Sequence, residues 1–434
     1  MEAFNHWLLG YGMREEDIRR PVLFRDTGWL AGADIFTIAG GLIGQILLTK
    51  ALFRSEYGLF VLLIDAFAVM FLLVDAGLPT IITRDVPKAR HQASSIVHQT
   101  FKLQGILATF FVPIGMLVAI QLWPDAPLIL LFACAGITIF HVFTYAPRSV
   151  LRALGEARQE AVVKVLERVI TTTGYALLLS INSNNPSHYA LAFLFGVIIS
   201  MLYAMYQGSK HCRIAAGEKG QGNILLSDKK FLISALPFAV TLGIIPLIGR
   251  FEKFLLAYYE NTESVAIFHV AFLAYLAGLT LPQAMRASLL PIMGELRGDW
   301  GKIKIEISKA RNLAFRLLFF GIIFGIAAVY FLMKYAFPDY FSESYPLFLG
   351  LLIGWVFTMI AVPNYVAVQA GKNPWRFTIM LFGGVGIAII TGIIGIPLLG
   401  IWGAVISSVA GAIALLLLSI ALTDNTQSII LEEE

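Results

Sequence analysis

The chain has 434 residues, 58% of them hydrophobic and only 14% charged, and a mean hydropathy of +0.77. A soluble domain carries about a quarter charged residues, and a single core stops growing near about 250–300 residues. This excess of apolar side chains therefore excludes an ordinary water-soluble enzyme and points to a chain dissolved largely in lipid. Lys plus Arg is 32 and Asp plus Glu is 28, a net charge of +4, too mild for a nucleic-acid binder.

Met1–Arg20 holds no apolar run of the length a cleavable signal needs. Phe4, Trp7, Leu8 and Tyr11 fall at helical spacing with Arg14, Arg19 and Arg20 behind them. That pattern predicts a short interfacial helix, and 1–27 is read as a cytoplasmic N-terminal segment. A crossing helix needs about 20 mostly apolar residues. Twelve stretches qualify, roughly 28–49, 58–81, 101–122, 128–146, 161–181, 188–208, 232–256, 264–288, 311–333, 345–367, 376–396 and 400–422. The expected fold is thus all-α and polytopic, with twelve transmembrane helices in two six-helix bundles, 28–208 and 232–422. A cytoplasmic linker, 209–231, joins them, and a cytoplasmic tail, 423–434, ends the chain.

Alternate loops are basic. Arg14, Arg19, Arg20 and Arg25 precede span one; Arg84, Lys88 and Arg90 follow span two; Arg148, Arg152 and Arg158 follow span four. The linker carries Lys210, Arg213, Lys219, Lys229 and Lys230; Arg297, Lys302, Lys304 and Lys309 follow span eight, and Lys372 follows span ten. The intervening loops hold only Lys50, Arg54 and Lys334. This bias places both termini in the cytoplasm. The two cysteines, Cys134 in an apolar run and Cys212 in a basic loop, form no CxxC, so neither a disulfide scaffold nor a zinc site is expected. They read as one packed and one solvated thiol. No His or Cys pair has metal-ligand spacing, and no cofactor is expected.

The halves echo each other faintly. Pro147-x-x-Val150 with Gly155 closes span four, Pro363-x-x-Val366 with Gly371 closes span ten, and Glu56 and Glu263 precede spans two and eight. Parallel repeats of six spans holding a substrate between them are a common transporter plan.

Phe53, Glu56-Tyr57-Gly58 and Phe60, then Asp75-Ala-Gly77-Leu78 and Thr83-Arg84, resemble the polysaccharide (O-antigen type) flippase family. Pro237, Arg250-x-Glu252-Lys253, Leu256 and Thr262-Glu263-Ser-Val265-Ala266 resemble its second half, as do Pro282, Leu289, Leu290 and Pro291. Glu252 stands where that family usually has Asp, and Ala266 where it has Gly. The detailed likeness covers roughly 28–90 and 231–295. It implies the larger multidrug and oligosaccharidyl-lipid exporter superfamily, with spans one, two, seven and eight lining a central cleft that opens alternately to either side. It also implies a polyprenyl-pyrophosphate-linked oligosaccharide as cargo and a bacterial cytoplasmic membrane as location. Membrane lipids and a polysaccharide polymerase or ligase would be further partners, nucleic acid would not, and the working unit would be a monomer.

A charge at mid-bilayer costs at least about 2.5–3.5 kcal/mol. Asp34, Asp65, Asp75, Arg250 and Arg286 fall inside spans, on the cleft helices that the resemblance implies. Arg binds phosphate oxygens in pairs, so Arg250 and Arg286 are the candidate pyrophosphate contacts, with Lys253, Arg168 and Arg84. Asp34, Asp65, Asp75 and Glu252 are the candidate coupling or gating acids, which makes proton antiport one option. Gln45, Tyr275, Gln283 and Asn364 are candidate sugar contacts. Depth suggests two alternating ion pairs between the halves, Asp65 with Arg250 or Lys253 outside and Asp75 with Arg286 inside. Lys102, Lys164 and Arg316 are expected to snorkel to the interface, and His141 and His269 to pack with a hydrogen bond. Pro237 and Pro246 predict a bend in span seven just before Arg250. The rival functions are a cation-coupled drug exporter of the same superfamily and a membrane-embedded glycosyltransferase or polymerase. The short outer loops argue against the latter.

Overall fold

The computed structural model describes residues 15–217, 227–244, 247, 249–296, 298–371 and 373–432, with side chains described from 25 to 423 except at 237, 238, 241, 242 and 374. Phe4, Trp7, Leu8, Tyr11, Lys219, Pro246, Arg297 and Lys372 lie outside the described residues, as does the side chain of Pro237. Every regular element described is helical. In chain order these are α1 (Glu15–Ala51), α2 (Arg54–Asp75), α3 (Leu78–Asp85), α4 (Ala93–Leu122), α5 (Leu128–Ala153), α6 (Ala157–Ser180), α7 (Pro186–Ala216) and α8 (Asp228–Ile244). They continue with α9 (Arg250–Tyr259), α10 (Thr262–Gly278), α11 (Thr280–Glu295), α12 (Trp300–Ala336), α13 (Phe341–Ala370), α14 (Pro374–Leu399) and α15 (Ile401–Glu432). In a bilayer every backbone polar group must be satisfied within the chain, which is why long apolar runs resolve as helices.

Among the described residues ten helical stretches are long and apolar enough to cross a membrane. Two expected spans are of another kind. Span five is the full-length helix α6, but Arg158, Glu160, Lys164, Glu167 and Arg168 keep it polar for half its length. Span seven is not continuous: α8 stops at Ile244 and α9 starts at Arg250 behind Gly249, whose φ is 78°. The bend expected before Arg250 falls at the left-handed turn of Gly249.

The chain divides into two compact units, residues 1–51 with 67–239 and residues 52–66 with 240–434. The first half of α2 thus packs with the second unit, and its second half with the first. In the first unit Leu78, Ile81 and Ile82 of α3 pack with Ile96 and Leu103 of α4, Ala146 and Val150 of α5, and Cys212 of α7. Cys212 is therefore buried rather than solvated, because α7 runs on to Ala216 and carries it into the core. In the second unit Ile244, Val368, Phe377, Met380 and Val385 form a core between α8, α13 and α14.

The short motifs have structural reasons. Asp75-Ala-Gly77 ends α2 on two successive left-handed residues, Ala76 and Gly77, and Gly77 opens α3. Glu56 reaches back to the Phe53 amide at 3.3 Å, which caps the start of α2. Gly58 is where α2 crosses the start of α10: a Cβ there would lie 1.7 Å from the Thr262 carbonyl oxygen. Asn261 caps α10, its side chain accepting from the Ser264 amide at 2.8 Å.

Candidate functional site

The densest polar cluster lies in the second unit, inside apolar helices. Gly249 fixes it. Its left-handed backbone is strained for any residue with a Cβ, and a Cβ there would meet the Phe272 ring at 1.9 Å. The turn it makes starts α9, so that Arg250 and Lys253, three residues apart, face α2. Arg250 Nε donates to Asp65 at 3.0 Å and Lys253 Nζ donates to the other oxygen of the same carboxylate. Lys253 is buried, sits 3.1 Å from His269 Nδ1 of α10 and lies 5.7 Å over the Phe272 ring. Tyr57 packs at 5.9 Å from the His269 ring. Two cations thus share one carboxylate. Low dielectric makes that attraction strong.

Glu252, between the two cations in sequence, points elsewhere. It is fully buried, accepts from Ser408 of α15 at 3.0 Å, and its Oε2 has no partner among the described residues. Arg286 of α11 donates to Gln369 at 2.9 Å and lies 5.8 Å over the Phe377 ring; among the described residues it meets no carboxylate. Near the start of α2, Arg54 binds Glu343 at 2.8 Å, Glu263 at 3.2 Å and the Asp339 carbonyl.

The remaining site residues lie in the first unit. Asp34 is paired with Lys164 at 2.6 Å. Asp75 receives Gln104 at 3.5 Å. Arg84 forms a two-point bond with its neighbour Asp85 at 2.7 Å, which raises its pKa above the ordinary value. Arg168 lays its aliphatic part against Gly40, and its Nε has no partner among the described residues. Glu167 binds His141 at 3.0 Å and Ser200 at 3.3 Å. Lys102 reaches Asp228 at 2.7 Å rather than only the interface.

The structure thus brings together Asp65, Arg250 and Lys253 as their depth suggested, yet the stretch bearing Asp65 belongs to the same unit as the two cations. The pair braces one unit and does not link the halves. The partners found for Asp75 and Arg286 lie within their own units, Gln104 for one and Gln369 for the other. Ser408 and Gln369 carried no signal in the sequence: each lies far from its partner along the chain, on a mostly apolar helix. Among the described residues no group of three His, Cys, Asp or Glu side chains has the arrangement of a metal site.

A family model described as polysaccharide biosynthesis protein matches residues 23–297. The chain belongs to that family. No curated protein matches it. Solved structures share its fold at low identity. An inward-facing multidrug resistance MATE family transporter of the MOP superfamily is 16% identical with a TM-score of 0.69, over 91% of this chain and 96% of that one. A MATE structure in the bent conformation is 16% identical with a TM-score of 0.64, over 96% of each chain. A MOP superfamily transporter from Pyrococcus furiosus, described as having a binding pocket of reversed polarity, is 16% identical with a TM-score of 0.62, over 92% and 95%. The family member described here therefore has the fold of these transporters and is a multi-pass membrane protein, as the flippase-like motifs implied.

Proposed function

We infer that this protein is a flippase that carries a polyprenyl-pyrophosphate-linked oligosaccharide from the inner to the outer leaflet of a bacterial cytoplasmic membrane, by alternating access and with both termini inside. The observation that carries the reading is the set of cations held within apolar helices. Arg250 and Lys253 share Asp65, Arg286 rests on an amide and a ring, and Arg168 has a buried nitrogen without a partner. Cations placed in spans at such cost favour an anionic cargo. The polyprenyl tail can stay in lipid, so only the head group must cross, and its pyrophosphate is the expensive part. Planar guanidinium groups replace its lost hydration in pairs.

The membrane field assists. With the cell interior negative, each exported negative charge gains about 2.3 kcal/mol per 100 mV. A dianionic head group gains roughly twice that over the export step. Family membership supports a role in polysaccharide assembly, and the transporter fold supports movement rather than bond formation.

The test is depletion of the protein in cells. A lipid-linked oligosaccharide should accumulate on the inner leaflet, detected by its resistance to an externally added glycosidase. Uptake of drug cations into inverted vesicles, with no change in glycolipid, would assign the protein to the drug-exporting branch. Synthesis of product from a sugar donor by the purified chain would make it an enzyme instead.

A further inference from the structure

Within the first unit a groove of about 570 Å³ runs between α1 and α6. Trp29, Gly32 and Phe36 form its α1 wall, and Val162, Val165 and Val169 its α6 wall. The lining is almost wholly apolar; Trp29, Phe36, Val162 and Val169 are exposed and Val165 is half-buried. One polar feature breaks the pattern. Arg158 continues the same face of α6, since 158, 162, 165 and 169 recur at helical spacing, and its guanidinium lies 5.6 Å over the Trp29 ring at the groove's end.

The charges around this end leave Arg158 available. Asp26 is held by Arg25 at 3.3 Å, Asp34 by Lys164 at 2.6 Å, and Glu160 by Arg152. Among the described residues Arg158 meets no carboxylate. An apolar trough ending in an uncompensated guanidinium is complementary to an amphiphile with a long chain and an anionic head. The α1 wall is recessed at Gly28 and Gly32, where no side chain projects and a Cβ would have open space. Notches of that kind accept the methyl branches of an isoprenoid better than they grip a straight acyl chain.

We propose that the groove between α1 and α6 holds the polyprenyl chain of the lipid-linked substrate, with Arg158 taking its pyrophosphate at the membrane surface. This rests on the flippase reading and gives that reading a loading site. On the proposed orientation the groove lies at the depth of the inner leaflet, where the substrate is made. Lys164 and Arg168 lie further along the same helix, on the side toward which the head group would next move.

The experiment uses the full chain in phosphatidylcholine nanodiscs and radiolabelled polyprenyl pyrophosphate, with unlabelled polyprenol and phosphatidylglycerol as competitors. Gly32→Leu should fill the notch and weaken both polyprenyl pyrophosphate and polyprenol at least about tenfold, since it removes chain burial. Arg158→Ala should weaken the pyrophosphate by about tenfold or more and leave polyprenol unchanged. Both variants should keep the wild-type thermal unfolding profile. Val165→Phe serves as a second filling variant should Gly32→Leu lose that profile. Wild-type binding that survives the filling variants would overturn the groove and leave the flippase reading standing. Equal competition by phosphatidylglycerol would make this a site for bulk anionic lipid and overturn the proposal in that way. Absence of accumulated precursor on depletion, by contrast, would sink the flippase reading itself.

Discussion

Replacing Asp65 by Asn removes the one anion shared by Arg250 and Lys253 while keeping shape and volume. The two cations then respond differently. The Arg250 side chain is 26% exposed and can turn toward more polar surroundings, so its share of the loss is about 0–1 kcal/mol. The Lys253 side chain is 3% exposed, pressed over Phe272 and against His269, and is left as a buried charge without an anion. Breaking a buried pair in this way costs about 3–5 kcal/mol. Lys253→Met, in contrast, leaves Asp65 with Arg250 and forfeits mainly the ring contact, about 1–2 kcal/mol. The double variant Asp65→Asn with Lys253→Met buries no lysine charge at all and should recover most of the first loss, a coupling of about 2–3 kcal/mol. Unfolding in mixed micelles by titration with sodium dodecyl sulfate, followed by tryptophan fluorescence, measures all four states. A double variant no more stable than Asp65→Asn alone would refute the assignment of the cost to a stranded Lys253.

Other expectations follow from single positions. Gly58→Ala should cost about 3 kcal/mol, at the upper end for overpacking, because the new Cβ meets the Thr262 backbone at 1.7 Å and backbone cannot give way; Gly105→Ala, with open space at its Cβ, should be neutral or gain up to about 1 kcal/mol in the same unfolding assay. Arg286→Lys should retain the charge yet lower transport at least about tenfold in vesicles loaded with lipid-linked precursor, since a point charge cannot bind phosphate oxygens in pairs; full transport by this variant would remove Arg286 from the substrate path. At Asp228 the bond from Lys102, with a second from Gln99, holds the carboxyl below the ordinary value. A depressed folded-state pKa gives stability that is present above the unfolded value, near about 3.9, and lost as pH falls through the folded one. Asp228→Asn should therefore flatten the acid limb of the pH–stability profile by lowering stability at neutral pH while leaving the most acidic end unchanged.

Sequence alone determined the solvent of this protein. Hydropathy sets the spans because an unsatisfied backbone group in hydrocarbon is too costly for anything but helix, and that rule acts locally, residue by residue. The Glu56-Tyr57-Gly58 and Asp75-Ala-Gly77 motifs were legible for the same reason: a capping carboxylate, a close helix crossing and a left-handed turn each demand particular residues at fixed offsets. Which charge answers which could not be read locally. Depth pointed to Asp65 beside Arg250 and Lys253, but only packing decided that the first half of α2 belongs with the second unit, so that the pair braces one unit. Lys164 found Asp34, Glu252 found Ser408 and Cys212 found the core because helices distant in the chain meet side by side, and an apolar helix face carries no mark of the polar atom that a neighbour will present to it.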